Sequence, residues 1–222
     1  DPRDPLQLTR GVYAILGRYY FKNNANIWLW SLYGNEKTRG FDLASTNKKK
    51  TEFGGRFQYP VPKGEIALSY HHRTANFQYL GDFPYDKIGE DRIGIDGKWD
   101  VKVGLWFELS NIHKSKNVGI FTNQSLANVG TDYTFKLGNG LNVIAEHFLI
   151  TYNSNAYFFD NHIQLTTTTM RYSLGFFDNI SGIAYYNWQQ ENTTLFINYE
   201  HQFNKFTSCL LYTSDAADDS LR

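Results

Sequence analysis

The chain has 222 residues with 22 basic against 22 acidic side chains, and a formal charge of zero gives no support for a nucleic-acid partner. Aromatic residues make up 17% of it, as 16 Tyr, 17 Phe and 5 Trp, yet the mean hydropathy is below zero. No run approaches the roughly 18 consecutive apolar residues of a membrane helix, which excludes helical spans.

The chain opens at Asp1 without a signal-like apolar run, so residues 1–10 read as a lead-in at a processed or truncated end. GVYAILGRYYF (11–21) then reads as a strand closed by the polar turn KNNAN. IWLWSLYG (27–34) follows, with Trp28, Trp30 and Leu32 sharing one face. A polar connection, 35–50, leads to TEFGGRFQY, where Phe53, Phe57 and Tyr59 oppose Glu52, Arg56 and Gln58. The turn PVPKG returns the chain through EIALSYHHR, with Ile66, Leu68 and Tyr70 opposing Glu65, Ser69, His71 and Arg73. Proline suits that turn and fits poorly inside a paired strand.

After the long segment 74–90 comes the clearest stretch, RIGIDGKWDVKVGLWFEL (92–109). Arg92, Asp96, Lys102 and Glu108 fall on one parity; Ile93, Ile95, Val103, Leu105 and Phe107 fall on the other. A loop at 99–101 keeps that parity and sets Lys98 against Lys102 and Arg92 against Glu108. With the turn at 61–64, Arg56 faces Ser69 and Glu52 faces Arg73. Residues 111–124 form another long connection, and NVGTDYTFKL then pairs through GNG with LNVIAEHFLITY. The final strands are LTTTTMRYSLGF, GIAYYNWQQ after the turn FDNIS, and TLFINYEHQF.

This makes about 11–12 strands, many near the 9–11 residues that cross a bilayer when tilted. Tight turns alternate with long polar connections along the first eight. Aromatics gather at strand ends: Tyr19, Tyr20, Phe21, Trp28, Tyr59, Trp99, Phe176, Phe177 and Phe203 at the tight-turn ends, and Tyr33, Tyr70, Phe107, Tyr152 and Trp188 at the others. Lipid cannot satisfy backbone hydrogen bonds, so strands cross it only as a closed barrel with apolar residues outward. Residues 11–208 therefore read as an all-β, antiparallel up-and-down transmembrane β-barrel, an incomplete part of a larger one.

In alternation, loop asymmetry and aromatic girdles, the chain resembles the porin-like outer-membrane β-barrels of Gram-negative bacteria. The resemblance implies an outer-membrane location and passive or selective passage of small hydrophilic solutes. Its partners would be membrane lipid and lipopolysaccharide, the latter within reach of Lys48, Lys49 and Lys50. Homo-oligomers are common in the family, but no residue here marks an interface. An outer-membrane enzyme or adhesin on the same wall, or a soluble ligand-binding barrel, are the alternatives.

The lumen-facing candidates are Glu52, Arg56, Arg73, Arg92 and Asp96, followed by Lys102, Glu108, Asp132, Glu146 and Arg171. Glu146 depends on the GNG loop. A two-residue turn sets it beside Tyr133 and Phe135, whereas a three-residue loop turns it inward, opposite Asp132. The inward arrangement is favoured because a charge facing lipid costs up to about 2–4 kcal/mol. No GxSxG or HExxH occurs, and His71 and His72 point to opposite faces, so no catalytic residue, metal ligand or cofactor is expected. The stretch CLLYTSDAADD (209–219) resembles a translated sequencing adapter, so 209–222 reads as a non-native tail without functional weight.

Overall fold

A computed structural model describes residues 11–39, 42–77, 87–156, 160–204 and 207–216; the expected lead-in, parts of three connections, residues 205–206 and the end of the expected tail, 217–222, lie outside them. The strands are β1 (Ala14–Tyr20), β2 (Asn26–Leu32), β3 (Ser45–Thr46), β4 (Glu52–Val61), β5 (Gly64–Asn76), β6 (Lys87–Asp100) and β7 (Gly104–Lys114), then β8 (Asn123–Phe135), β9 (Leu141–Asn153), β10 (His162–Ser173), β11 (Asp178–Asn187), β12 (Asn192–Asn204) and β13 (Thr207–Ala216). Apart from the two-residue β3, which pairs with β5, each strand pairs antiparallel with its neighbours in sequence. The fold is all-β and up-and-down. Its sheet is open, as in an incomplete barrel. The adapter-like residues 209–216 belong to β13, which pairs with β12.

Exposure follows chemistry on part of the sheet. Leu68, Ile93, Ile95 and Leu109 are exposed, while Arg73, Glu90 and Lys114 are buried. No second layer covers the sheet among the described residues. A sheet that shields one side of itself is curled about that side, so the polar side is called the inner face here. β1 is exposed along its whole length.

The hairpin turns at one end are short, spanning 21–25, 62–63, 101–103, 136–140 and 174–177. The opposite end holds the long connections, one with a 3-10 turn (Gly119–Thr122). Several strands run further into those connections than periodicity indicates. Residues 87–90, 111–114 and 123–127 are strand, and polar side chains there find partners on both faces: Glu90 with Arg73 inside the curl, Asn111 with Ser125 and His113 with Asn123 outside it. Residues 178–181 belong to β11 rather than to a turn.

Two hairpin registers differ from expectation. Val101–Val103 form the loop of the β6–β7 hairpin, so Arg92 lies opposite Ile112, Asp96 opposite Glu108, and Lys98 opposite Trp106. Parity survives; the partners do not. Keeping Trp99 in the ladder lets its ring stack on Phe107 at 5.8 Å, over the space left by Gly97. That stacking also sets Phe107 toward the tight-turn end, not the opposite one. At the GNG hairpin the loop spans 136–140 and Glu146 is inward as favoured, but opposite Gly130, with Asp132 opposite Ile144. Gly138 and Gly140, at φ 53° and 98°, take the left-handed positions that this loop requires.

Gly54 and Gly130 perform one shared task. Each lies between a tryptophan on the preceding strand, Trp30 or Trp106, and a hydrogen-bond acceptor on the following one, His71 or Glu146. A Cβ at Gly130 would stand 2.2 Å from the Trp106 ring, and one at Gly54 would stand 2.7 Å from the Trp30 ring. The indole thus lies across its glycine and reaches the strand beyond. Gly130→Ala is expected to cost about 1–3 kcal/mol as the ring is forced off its bed. A lowered urea midpoint with a shifted tryptophan emission would register it.

Candidate functional site

Residues 42–47 of the polar connection fold back onto the inner face instead of projecting away. Apolar side chains hold them there: Ala44 packs with Ala75, Phe77, Ile88 and Val118, all buried, with Phe121 against the cluster. Thr46 pairs with Ala75 in the β3–β5 ladder. The strap places Asp42, 2% exposed at its side chain, among the charges of β5 and β6.

There Asp42 joins two arginines. Its Oδ2 accepts from Arg73 Nη1 at 2.8 Å, and its Oδ1 from Arg92 Nη2 at 2.6 Å. Arg73 also grips Glu90 with two donors, Nε to Oε1 at 2.7 Å and Nη2 to Oε2 at 3.2 Å, and donates to Thr46. Arg92 Nε donates to Glu90 at 2.8 Å. Lys114, opposite Glu90 in the ladder, is buried with its ammonium 5.7 Å from the centre of the Phe77 ring.

A second chain of bonds runs beside the first. Trp30 Nε1 donates to His71 Nδ1 at 2.9 Å. That nitrogen is therefore the acceptor, and the His71 proton sits on Nε2, 3.3 Å from Glu52 Oε2. Arg39, also from the connection, donates to the same carboxylate. Glu52 Oε1 is buried without a partner among the described residues. Glu52 and Arg73 are bonded to other partners, both from the connection between β2 and β4: Arg39 for Glu52 and Asp42 for Arg73. Arg56 does lie opposite Ser69, and its guanidinium reaches past β5 to bind Asp96 with two donors.

Toward the tight turns the inner face opens into a cavity of about 400 Å³ lined by Glu65, Asp96, Lys98, Trp106, Glu108 and Asp132. Glu146 accepts from Trp106 at 3.3 Å and from Asn128 at 3.2 Å. It is held by neutral donors rather than joined with Asp132. Arg171 is on the inner parity near the tight-turn end, opposite Asn142 and Ser181. Lys102 is the exception among the ten candidates: it stands in the 101–103 turn, off the wall.

The inner face is not uniformly polar. Trp28, Trp30 and Leu32 point inward, with Arg18 stacked 4.3 Å from the Trp28 ring. Ile183, Tyr185 and Phe196 share that face further along. The outer face in turn carries His147, bonded to Thr166 Oγ1 at 2.9 Å. Above the apolar band it becomes polar in a row across β5, β6, β7 and β8. There Asp91 meets His72 at 2.8 Å and Tyr70 at 2.6 Å, and His113 meets Asn123 at 2.8 Å.

Asp42, Arg39, Thr46, Glu90, Lys114 and the His71–Glu52 bond escape a strand-by-strand reading. One signal was present: Leu43 and Ala44 are apolar residues in a stretch otherwise fit for solvent. No family model, curated protein or solved structure matches the chain.

Proposed function

We propose that the chain forms the wall of a bacterial outer-membrane channel, porin-like, for small hydrophilic solutes. The observation that carries this reading is the sidedness of the sheet. Ile93 and Leu68, each 57% exposed, face outward, and ionised groups such as Arg56 and Asp96 face inward. Water-soluble sheets bury the apolar side; hydrocarbon rewards its exposure. A soluble ligand-binding barrel calls for the reverse arrangement. From β1 to β10, short turns lie at one end and long connections at the other, which supports the same reading; the β11–β12 turn, 188–191, is short as well.

The direct test is a planar bilayer. Added protein is expected to give discrete conductance steps, and a bilayer that stays sealed under voltage overturns the channel reading. Sidedness is checked separately on a Cys209→Ser background. In vesicles, Ser69→Cys on the inner face is expected to react with a charged, membrane-impermeant thiol reagent, and Ile95→Cys on the outer face to resist it. Equal labelling of the two would argue against a water-filled interior.

A further inference from the structure

The tight turns at one end of the sheet have a charge of their own. Lys22, Lys63, Lys102 and Lys136 lie one to a turn in 21–25, 62–63, 101–103 and 136–140, and all four are exposed. Neither these turns nor the fifth, 174–177, contains a carboxylate. The chain as a whole is neutral by formal charge, so this is segregation and not general basicity. Asp100 and Asp178 end strands nearby, the second bound to Tyr199 and His201. Connections at the opposite end mix signs, as in Glu36, Lys37, Arg39 and Asp42.

Successive hairpins follow every second strand, which spaces these turns about 10 Å apart along the rim. Directly behind the lysines, exposed aromatics ring the sheet: Tyr19, Tyr59 and Phe135 on the outer face and Phe176 in the fifth turn. An aromatic ring favours the boundary between acyl chains and headgroups, and a lysine stem carries its ammonium from that depth to a phosphate.

The geometry points to a docking rim for an anionic phospholipid leaflet, with the four ammonium groups on lipid phosphates and the aromatics at the acyl boundary. This rests on the membrane reading above and adds to it which end meets negative lipid. Each basic residue held against an anionic leaflet strengthens partitioning by about fivefold, so four acting together give a large, salt-sensitive effect.

The test dilutes unfolded protein from urea into vesicles of phosphatidylcholine, or of phosphatidylcholine mixed with phosphatidylglycerol. Strand content and proteinase K resistance are followed against lipid concentration. At low salt the wild type is expected to need at least about tenfold less lipid in the mixed vesicles, an advantage that high salt removes. The variant K22Q/K63N/K102Q/K136Q is expected to lose the advantage while still inserting into phosphatidylcholine. Asn is chosen at position 63 because the backbone there has φ 61°. The variant K48Q/K49Q/K50Q, at the far end, is expected to keep it.

An advantage that survives in the rim variant, or that is lost in the far-end variant instead, overturns the proposal and leaves the membrane reading intact. A wild-type advantage insensitive to salt overturns it without relying on any variant. Failure of the wild type to enter either vesicle defeats the membrane reading, and the docking rim with it.

Discussion

Arg73→Met is expected to destabilise the folded protein by about 3–5 kcal/mol, the largest effect of any single inner-face change. The guanidinium is buried and serves Asp42, Thr46 and both oxygens of Glu90. Its loss leaves Arg92 as the one arginine on Asp42 and Glu90, both shielded from water, and takes from Glu90 Oε2 its donor; removing a partner from a buried ion-pair cluster costs more than is saved by no longer desolvating the arginine. Methionine keeps much of the stem's volume, so packing is not the main term. Urea unfolding followed by tryptophan emission should show the midpoint fall. The exposed pair Lys48–Glu36, at 3.0 Å, provides the contrast: Lys48→Gln is expected to cost less than about 1 kcal/mol. Equal midpoints for the Arg73 variant and the wild type would mean that the strap does not lie on the inner face.

Leu109→Arg is expected to disfavour insertion into vesicles by about 2–4 kcal/mol, and Glu108→Arg at the neighbouring position to leave it nearly unchanged. Leu109 is 42% exposed on the outer face between Ile95 and Ala127, where the proposed channel meets acyl chains. Glu108 lies inward opposite Asp96 and Asn128, where an arginine meets a carboxylate and water. The two variants carry the same new residue one position apart on one strand. Only a difference in what the two faces touch can separate them. Lipid titration of folding is the readout, and similar curves for both would remove the basis for the membrane assignment.

Strand existence and parity were legible in the sequence because a sheet face imposes a period of two on chemistry as well as geometry. Glu52, Arg56, Arg92, Asp96 and Glu108 could be assigned to one side without any knowledge of partners. Register was harder. It is decided by which loop accepts the strain and which rings find space, and the Trp99–Phe107 stack over Gly97 moved a hairpin that alternation alone left free to slide. The three-strand rows Trp30–Gly54–His71 and Trp106–Gly130–Glu146 exist only once register is fixed, so no local pattern announces them. The strap was hidden for a different reason. Polar connections normally point to solvent, and Asp42 becomes interpretable only when Arg73 and Arg92 stand beside it.

The lengths of β5, β6, β8 and β9, at 13, 14, 13 and 13 residues, exceed the roughly 9–11 that a tilted strand needs to traverse a bilayer. Outside, the surplus begins where Ile93 gives way to Asp91; the row of Arg73, Glu90 and Lys114 lies one residue higher still. In the channel reading those charges lie buried within a parapet that rises into water above the lipid surface. Arg92, the partly exposed member of that cluster, is where ions of the surrounding medium reach it, so the grip on the strap answers to the environment outside the cell more than to the fat beneath it.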